Sequence, residues 1–114
     1  MPRALCLLAL VLLEACSSPD KPFVLPETVA GGWHLKETKR DGTKTLAAYE
    51  GPGTVRVEAE DMKVQAVAFE RAQKTRPEPD MVFFDKGVYF VTIRWEQADR
   101  EAVKQLVRTL QKQP

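Results

Sequence analysis

Residues 81–95, MVFFDKGVYFVTIRW, decide the fold that we predict for this chain. Two runs rich in β-branched and aromatic residues, Met81–Phe84 and Val88–Trp95, flank the short stretch Asp85-Lys86-Gly87. This composition favours two antiparallel strands, and a three-residue loop that ends in glycine suits a type I turn followed by a bulge. The segment is therefore predicted to be a β-hairpin, around which the other elements are arranged.

Upstream and downstream of this hairpin, the spacing of apolar residues predicts further strands and helices. Alternation over Trp33–Lys39 and over Thr54–Glu60 is typical of strands with one wet face. Apolar residues three and four apart predict helices over Val64–Lys74 and Ala98–Lys112. A short strand near Leu46–Tyr49 and a single helical turn at Pro26–Ala30 are further possibilities.

The element order β-β-α-β-β-α predicts an α+β fold. We expect a two-layer sandwich, in which an antiparallel sheet of about four strands is covered on one face by two helices. The alternating and helical patterns also predict which side chains fill the core. These residues are Trp33, Leu35, Val55, Val57, Val67, Phe69, Phe83, Tyr89, Val91, Ile93, Trp95, Val103, Leu106 and Leu110.

Residues 1–15 are predicted to form a targeting segment. Arg3 precedes a continuous apolar run of ten residues, Ala4–Leu13, which is too short to span a bilayer, since about 20 residues are needed. The sequence Leu13-Glu14-Ala15-Cys16 follows, and it resembles the lipobox of bacterial lipoproteins, although that family usually has a small or apolar residue where Glu14 stands. The resemblance implies that the Cys16 thiol carries a diacylglycerol after cleavage.

This resemblance divides the chain into a signal peptide (1–15), a lipidated cysteine with a flexible tether (16–25) and a single α+β domain (26–114). It implies a location in the cell envelope, with the membrane as a partner through the lipid on Cys16. Ser17 after the cysteine resembles the sorting signal for the outer membrane, facing the periplasm, in Gram-negative hosts. A plain secretory signal with an incidental cysteine and an uncleaved membrane anchor are the alternatives.

Composition and motifs point away from several classes of function. The formal charge is only +1, from 17 basic and 16 acidic residues, so no basic surface for nucleic acid is expected. His34 is the only histidine, and no cysteine follows Cys16. We therefore predict no catalytic residues, no metal site, no cofactor and no enzymatic activity. A hydrolase that uses the acidic residues Glu58, Glu60 and Asp61 is the minor alternative.

One candidate interaction surface follows from the predicted hairpin. A three-residue loop places four apolar side chains together on the sheet face away from the helices. These residues are Val82, Phe84, Val88 and Phe90. An apolar patch on the open side of a sheet is typical of a partner site, unless the segment Phe23–Leu25 folds over it.

Several further stretches resemble small, uncharacterised bacterial envelope proteins. They are Gly32-Trp33, the turn 49–53, Ala68-Phe69-Glu70 and the closing strand 91–95 with its helix. The resulting hypothesis is a membrane-anchored, non-enzymatic lipoprotein that acts as a structural module or binds a protein partner or itself. The alternative is a carrier or sensor of a small apolar ligand, which would require a cavity lined by Trp33, Phe69 and Tyr89.

Overall fold

A single antiparallel sheet dominates the computed structural model, which describes residues 22–113. Its strands, in the order β1-β2-β3-β4-β6-β5, curl into a half-barrel. The strands are β1 (Thr28–Val29), β2 (Trp33–Asp41), β3 (Lys44–Glu50), β4 (Thr54–Asp61), β5 (Met81–Lys86) and β6 (Tyr89–Glu96), and the helices are α1 (Gln65–Lys74) and α2 (Arg100–Gln111). The predicted signal peptide and Cys16 lie outside the described residues.

The predicted architecture, a two-layer sandwich of about four strands with both helices on one face, is wrong. The sheet has six strands, and its two helices lie on opposite faces. α2 packs on the face that carries Val57 and Ile93, which we call the core face. α1 packs against β5 and β6 on the other face, which we call the outer face, and there Arg71 lies over the ring of Phe90.

The core face is built by alternation along three neighbouring strands. Val55 and Val57 of β4 lie directly opposite Trp95 and Ile93 of β6, and all four side chains point toward α2. The apolar stripe of α2 closes this layer, with Leu106 fully buried at its centre. Burial of this continuous apolar surface is the main favourable term in folding.

Two aromatic residues near the edge of the sheet satisfy their polar atoms inside the core. The indole Nε1 of Trp33 donates a hydrogen bond to the backbone oxygen of Ala102, at 2.8 Å, and so joins β2 to the first turn of α2. The hydroxyl of Tyr49 donates to the backbone oxygen of Pro26, at 2.7 Å. Both side chains are completely buried, so leaving either polar atom unpaired would cost free energy.

The start of α2 is fixed by its cap and by a glycine. The side chain of Asp99 accepts a hydrogen bond from the backbone nitrogen of Ala102, at 3.0 Å, which makes it the N-cap. Gly53 packs so closely against Ala98 that a Cβ atom on Gly53 would lie 2.4 Å from the Ala98 Cα. A glycine is therefore required where the start of β4 meets the segment that leads into α2.

The chain packs against the domain before residue 26. The ring of Phe23 lies 6.4 Å from that of Phe84 and 6.0 Å from that of Tyr89, between centroids, and Leu25 also contacts the core. Part of the segment assigned from the sequence to a tether is thus packed over the core face. Among the described residues, core packing begins at Phe23.

The predicted core is largely confirmed, with exceptions on α1 and at Phe83, which is half-buried on the outer face beside Phe90. Trp33, Val57 and Leu106 are buried as expected, whereas Val67 and Phe69 are 42% and 55% exposed. α1 instead turns the small side chain of Ala68 toward the sheet. Alanine is only weakly hydrophobic, so the side of α1 that packs on the sheet is hard to recognise in the sequence. The larger neighbours Val67 and Phe69 lie on either side of the contact between Ala68 and the sheet.

We expect Leu106→Ala to lower the free energy of unfolding by about 2–5 kcal/mol, because it removes a fully buried side chain and leaves a cavity. Arg108→Ala, on the exposed side of the same helix, is the matched control and should change stability by less than about 0.5 kcal/mol. Chemical denaturation measures both. Equal, small effects would contradict the packing of α2 described above.

Burial raises the pKa of Tyr49 to about 12, from an ordinary value of 10.0. Between these pH values the folded chain binds more protons at this residue than the unfolded chain, so stability falls as the pH rises. We expect this residue to account for a loss of roughly 2–3 kcal/mol across that interval. Tyr49→Phe, which loses about 1 kcal/mol at neutral pH with its hydrogen bond, should lack this part of the alkaline loss in urea denaturation. Parallel pH profiles for the two proteins would show that Tyr49 is not the group responsible.

Candidate functional site

The four residues predicted to share one apolar patch do not share a face. Lys86 pairs directly with Tyr89, so the hairpin loop has two residues, Gly87 and Val88, rather than three. Gly87 has a φ of 58°, in the region that glycine adopts at little cost and that tight two-residue hairpin turns use. The shorter loop shifts the register by one residue, which reverses the faces of β5 relative to β6.

The consequence is that both faces of the hairpin are covered. Val82 and Phe84 pair with Ile93 and Val91 and so lie on the core face, where Phe23 packs against Phe84. Phe90 lies on the outer face beneath α1, with the guanidinium carbon of Arg71 5.3 Å from its ring centroid.

The burial of the four side chains also contradicts the predicted patch. Phe84, Val88 and Phe90 are buried and Val82 is half-buried, so the predicted open apolar patch is not formed. The alternative considered from the sequence was that the segment 23–25 covers the patch. It holds for Val82 and Phe84 on the core face, since Phe23 contacts Phe84. The Phe90 side is covered by α1, which was not expected.

The open surface of the sheet is instead the part of the outer face that α1 leaves uncovered. It carries charged side chains at alternate positions of β2, β3, β4 and β6. Four ion pairs involve these residues: Lys36–Glu50 at 2.8 Å, Lys44–Glu58 at 3.6 Å, Arg71–Glu60 at 3.9 Å and Arg94–Glu78 at 3.2 Å. The hydrogen bond and charge of Glu50 raise the pKa of Lys36.

Two arginines interrupt this pattern of opposite charges. Arg56 of β4 lies directly opposite Arg94 of β6, an arrangement of like charges that is unfavourable across a sheet. Glu78 compensates Arg94, whereas Arg56 has no ion-pair partner among residues 22–113. Arg56 is thus an exposed guanidinium on a central strand that makes no ion pair within the described part of the domain.

A depression of about 210 Å³ lies beside these arginines. Its lining residues are Thr54, Arg56, Pro79, Asp80, Arg94, Trp95 and Glu96. Because the carboxylates of Asp80 and Glu96 border the same space as the two guanidinium groups, the depression is not strongly positive. Such a mixture suits a polar protein segment that carries a carboxylate, since a guanidinium can bind a carboxylate through two hydrogen bonds.

The residues considered for chemistry remain dispersed. His34 is exposed on β2, where it borders a second, shallow depression of about 490 Å³ at the edge formed by β1 and β2. Glu58 and Glu60 are each engaged in an ion pair. Within residues 22–113 there is no group of three or more histidine, cysteine or acidic side chains placed to hold a metal ion.

The residues named for an apolar carrier are also separated. Trp33 is completely buried beside α2, whereas Phe69 is exposed on α1, on the other side of the sheet. They therefore do not line one cavity with Tyr89. No helix in the described part of the chain is long and apolar enough to cross a membrane.

Comparison with known protein families, with curated proteins and with solved structures gives no match to this chain.

Proposed function

We propose that this chain is a lipid-anchored protein of the bacterial cell envelope, attached through Cys16, and that its domain is a non-enzymatic binding module for a protein partner. The anchor is supported by the apolar run 4–13 followed by Leu13-Glu14-Ala15-Cys16. Ser17 favours the outer membrane, facing the periplasm, in a host with two membranes. Two or more acyl chains on one cysteine bury enough CH₂ groups for stable anchoring.

The observation that carries partner binding is that Arg56 makes no ion pair with residues 22–113. Its neighbours Glu50, Glu58 and Glu60 have cationic partners, whereas Asp80 and Glu96 border the same depression without pairing with Arg56. A carboxylate supplied by a partner would relieve the repulsion between Arg56 and Arg94 and extend the alternation of charges across the face. The partner class is therefore a protein segment with an acidic side chain, bound over the depression beside Arg56.

We expect Arg56→Glu to abolish this association, because it would set a carboxylate against the partner's own. The fold should be retained, since the new carboxylate would lie opposite Arg94. Lys39→Glu, an exposed position on β2 that also faces outward, is the matched charge-reversal control. The measurement is crosslinking in intact cells through a photoreactive residue at Thr54, which lines the same depression.

Adducts that persist in Lys39→Glu and disappear in Arg56→Glu would support the proposed site. Adducts that consist of two copies of this chain would identify the partner as the protein itself. Identical adducts in all three proteins would exclude Arg56 from the contact and so overturn the proposed binding mode.

The anchor is tested separately. We expect Cys16→Ser to lose the label when cells are grown with a radioactive fatty acid, because the thiol is the acceptor of the lipid. Cys6→Ala, which changes the other cysteine of the chain, is the control and should keep the label. A labelled Cys16→Ser protein would remove the basis for calling this chain a lipoprotein.

A further inference from the structure

The chain enters the domain at one end of the sheet, which we call the turn end. The turns that follow Asp41 and Lys86 lie there, together with the end of β4, because Asp61 pairs with Tyr89. The ring of Phe23 lies 6.0 Å from that of Tyr89. The first described residues therefore meet the domain at the turn end.

The last turn of α2 lies at the same end and holds the incoming chain. Val24 donates its backbone N–H to the side chain of Gln113, at 2.7 Å, and accepts a hydrogen bond from the same side chain, at 3.0 Å. Lys86 donates from Nζ to the backbone oxygen of Gln111, at 2.8 Å. These bonds fix the direction from which the chain approaches.

The distance between the proposed lipid and this end is limited by covalent geometry. Pro22 follows Cys16 by six residue steps, and a fully extended chain of that length spans at most about 20 Å. The eight residues of β4 extend over roughly 25 Å from the turn end to the opposite end. An anchor on Cys16 therefore keeps the turn end close to the bilayer and leaves the opposite end farther away.

The surface of the turn end has the composition of a bilayer contact. Val24 and Val64 are exposed at 55% and 52%, Val24 beside Gln113 and Val64 at the start of α1. The backbone N–H of Met62 donates to the oxygen of Val88, at 2.9 Å, and places Lys63 and Val64 beside the hairpin turn. Exposed apolar groups with neighbouring lysines are typical of surfaces that lie in the lipid interface.

The opposite end differs in its apolar exposure. Its loops and strand ends carry charges of both signs, among them Asp80, Asp99, Arg76 and Arg94. Within residues 22–113, the exposed large hydrophobic side chains are Val24 and three residues of α1 and its start, Val64, Val67 and Phe69, so none lies in those loops. The turn end therefore offers more exposed apolar side chains to a lipid surface than the opposite end does.

We infer that the turn end lies against the phospholipid surface that holds the anchor, with Val24 and Val64 in the interfacial layer and Lys63 and Lys112 near lipid phosphates. This inference rests on the lipid anchor proposed above. It also orients the partner site, because Arg56 lies two residues from the start of β4, at the opposite end. The arginine pair therefore faces away from the bilayer, where a partner can reach it.

The experiment compares Val64→Cys with Arg76→Cys in the full-length lipidated protein. Arg76 is exposed in the loop that follows α1, at the opposite end, and is the matched control. Because the thiol of Cys16 is taken by lipid and Cys6 leaves with the signal peptide, each variant has a single reactive thiol. Each is labelled with an environment-sensitive dye and reconstituted into phosphatidylethanolamine–phosphatidylglycerol vesicles that contain a lipid-attached quencher.

We expect several-fold stronger quenching at position 64 than at position 76, in proteins that float with the vesicles and unfold at the wild-type midpoint. Flotation with equal quenching, or with stronger quenching at position 76, would overturn the orientation and leave the anchor intact. Failure of the wild-type protein to float would overturn the anchor and the orientation together.

Discussion

The middle of strand β6, from Phe90 to Ile93, is buried on both faces, and the rest of the domain is arranged around this constraint. Val91 and Ile93 point into the layer that α2 closes, whereas Phe90 and Thr92 point toward α1. A strand that is apolar on both faces must be covered twice, because exposing either side would leave aromatic and aliphatic surface in water. The two helices therefore lie on opposite faces, and the sheet curls around α2 on one side only.

The strong patterns predicted their elements correctly, whereas β3 was predicted only as a possible short strand, and the region of β1 as a possible helical turn. The hairpin and the stripe of α2 were found because their apolar side chains are large and regularly spaced. β1 has only two residues, and the outward positions of β3 include Leu46 and Ala48, which obscure a polar–apolar alternation. The predicted register of β5 was wrong because the hairpin loop is one residue shorter than expected. This error assigned every side chain of β5 to the wrong face of the sheet relative to β6.

The candidate site was beyond sequence reasoning for a different reason. Arg56 and Arg94 are far apart in the chain, and they become neighbours only because β6 pairs with β4 while β5 takes the outer position. A periodic pattern of apolar residues in the sequence carries no information about this order of strands in the sheet. The apolar residues that sequence reasoning chose as a surface are structural, and the residues on the open surface appeared in the sequence as ordinary solvated charge.

The polar character of the open face determines the kind of partnership it can support. An exposed pair between Arg56 and a partner's carboxylate contributes little free energy in water, about 0–1 kcal/mol, and is weakened by salt. A site of this kind alone gives weak association between freely diffusing proteins. The proposed tether would change this balance, because confinement of both partners to one membrane surface raises their effective concentration without any new contact. The proposed anchor would thus supply proximity, and the proposed partner site on this face would supply specificity.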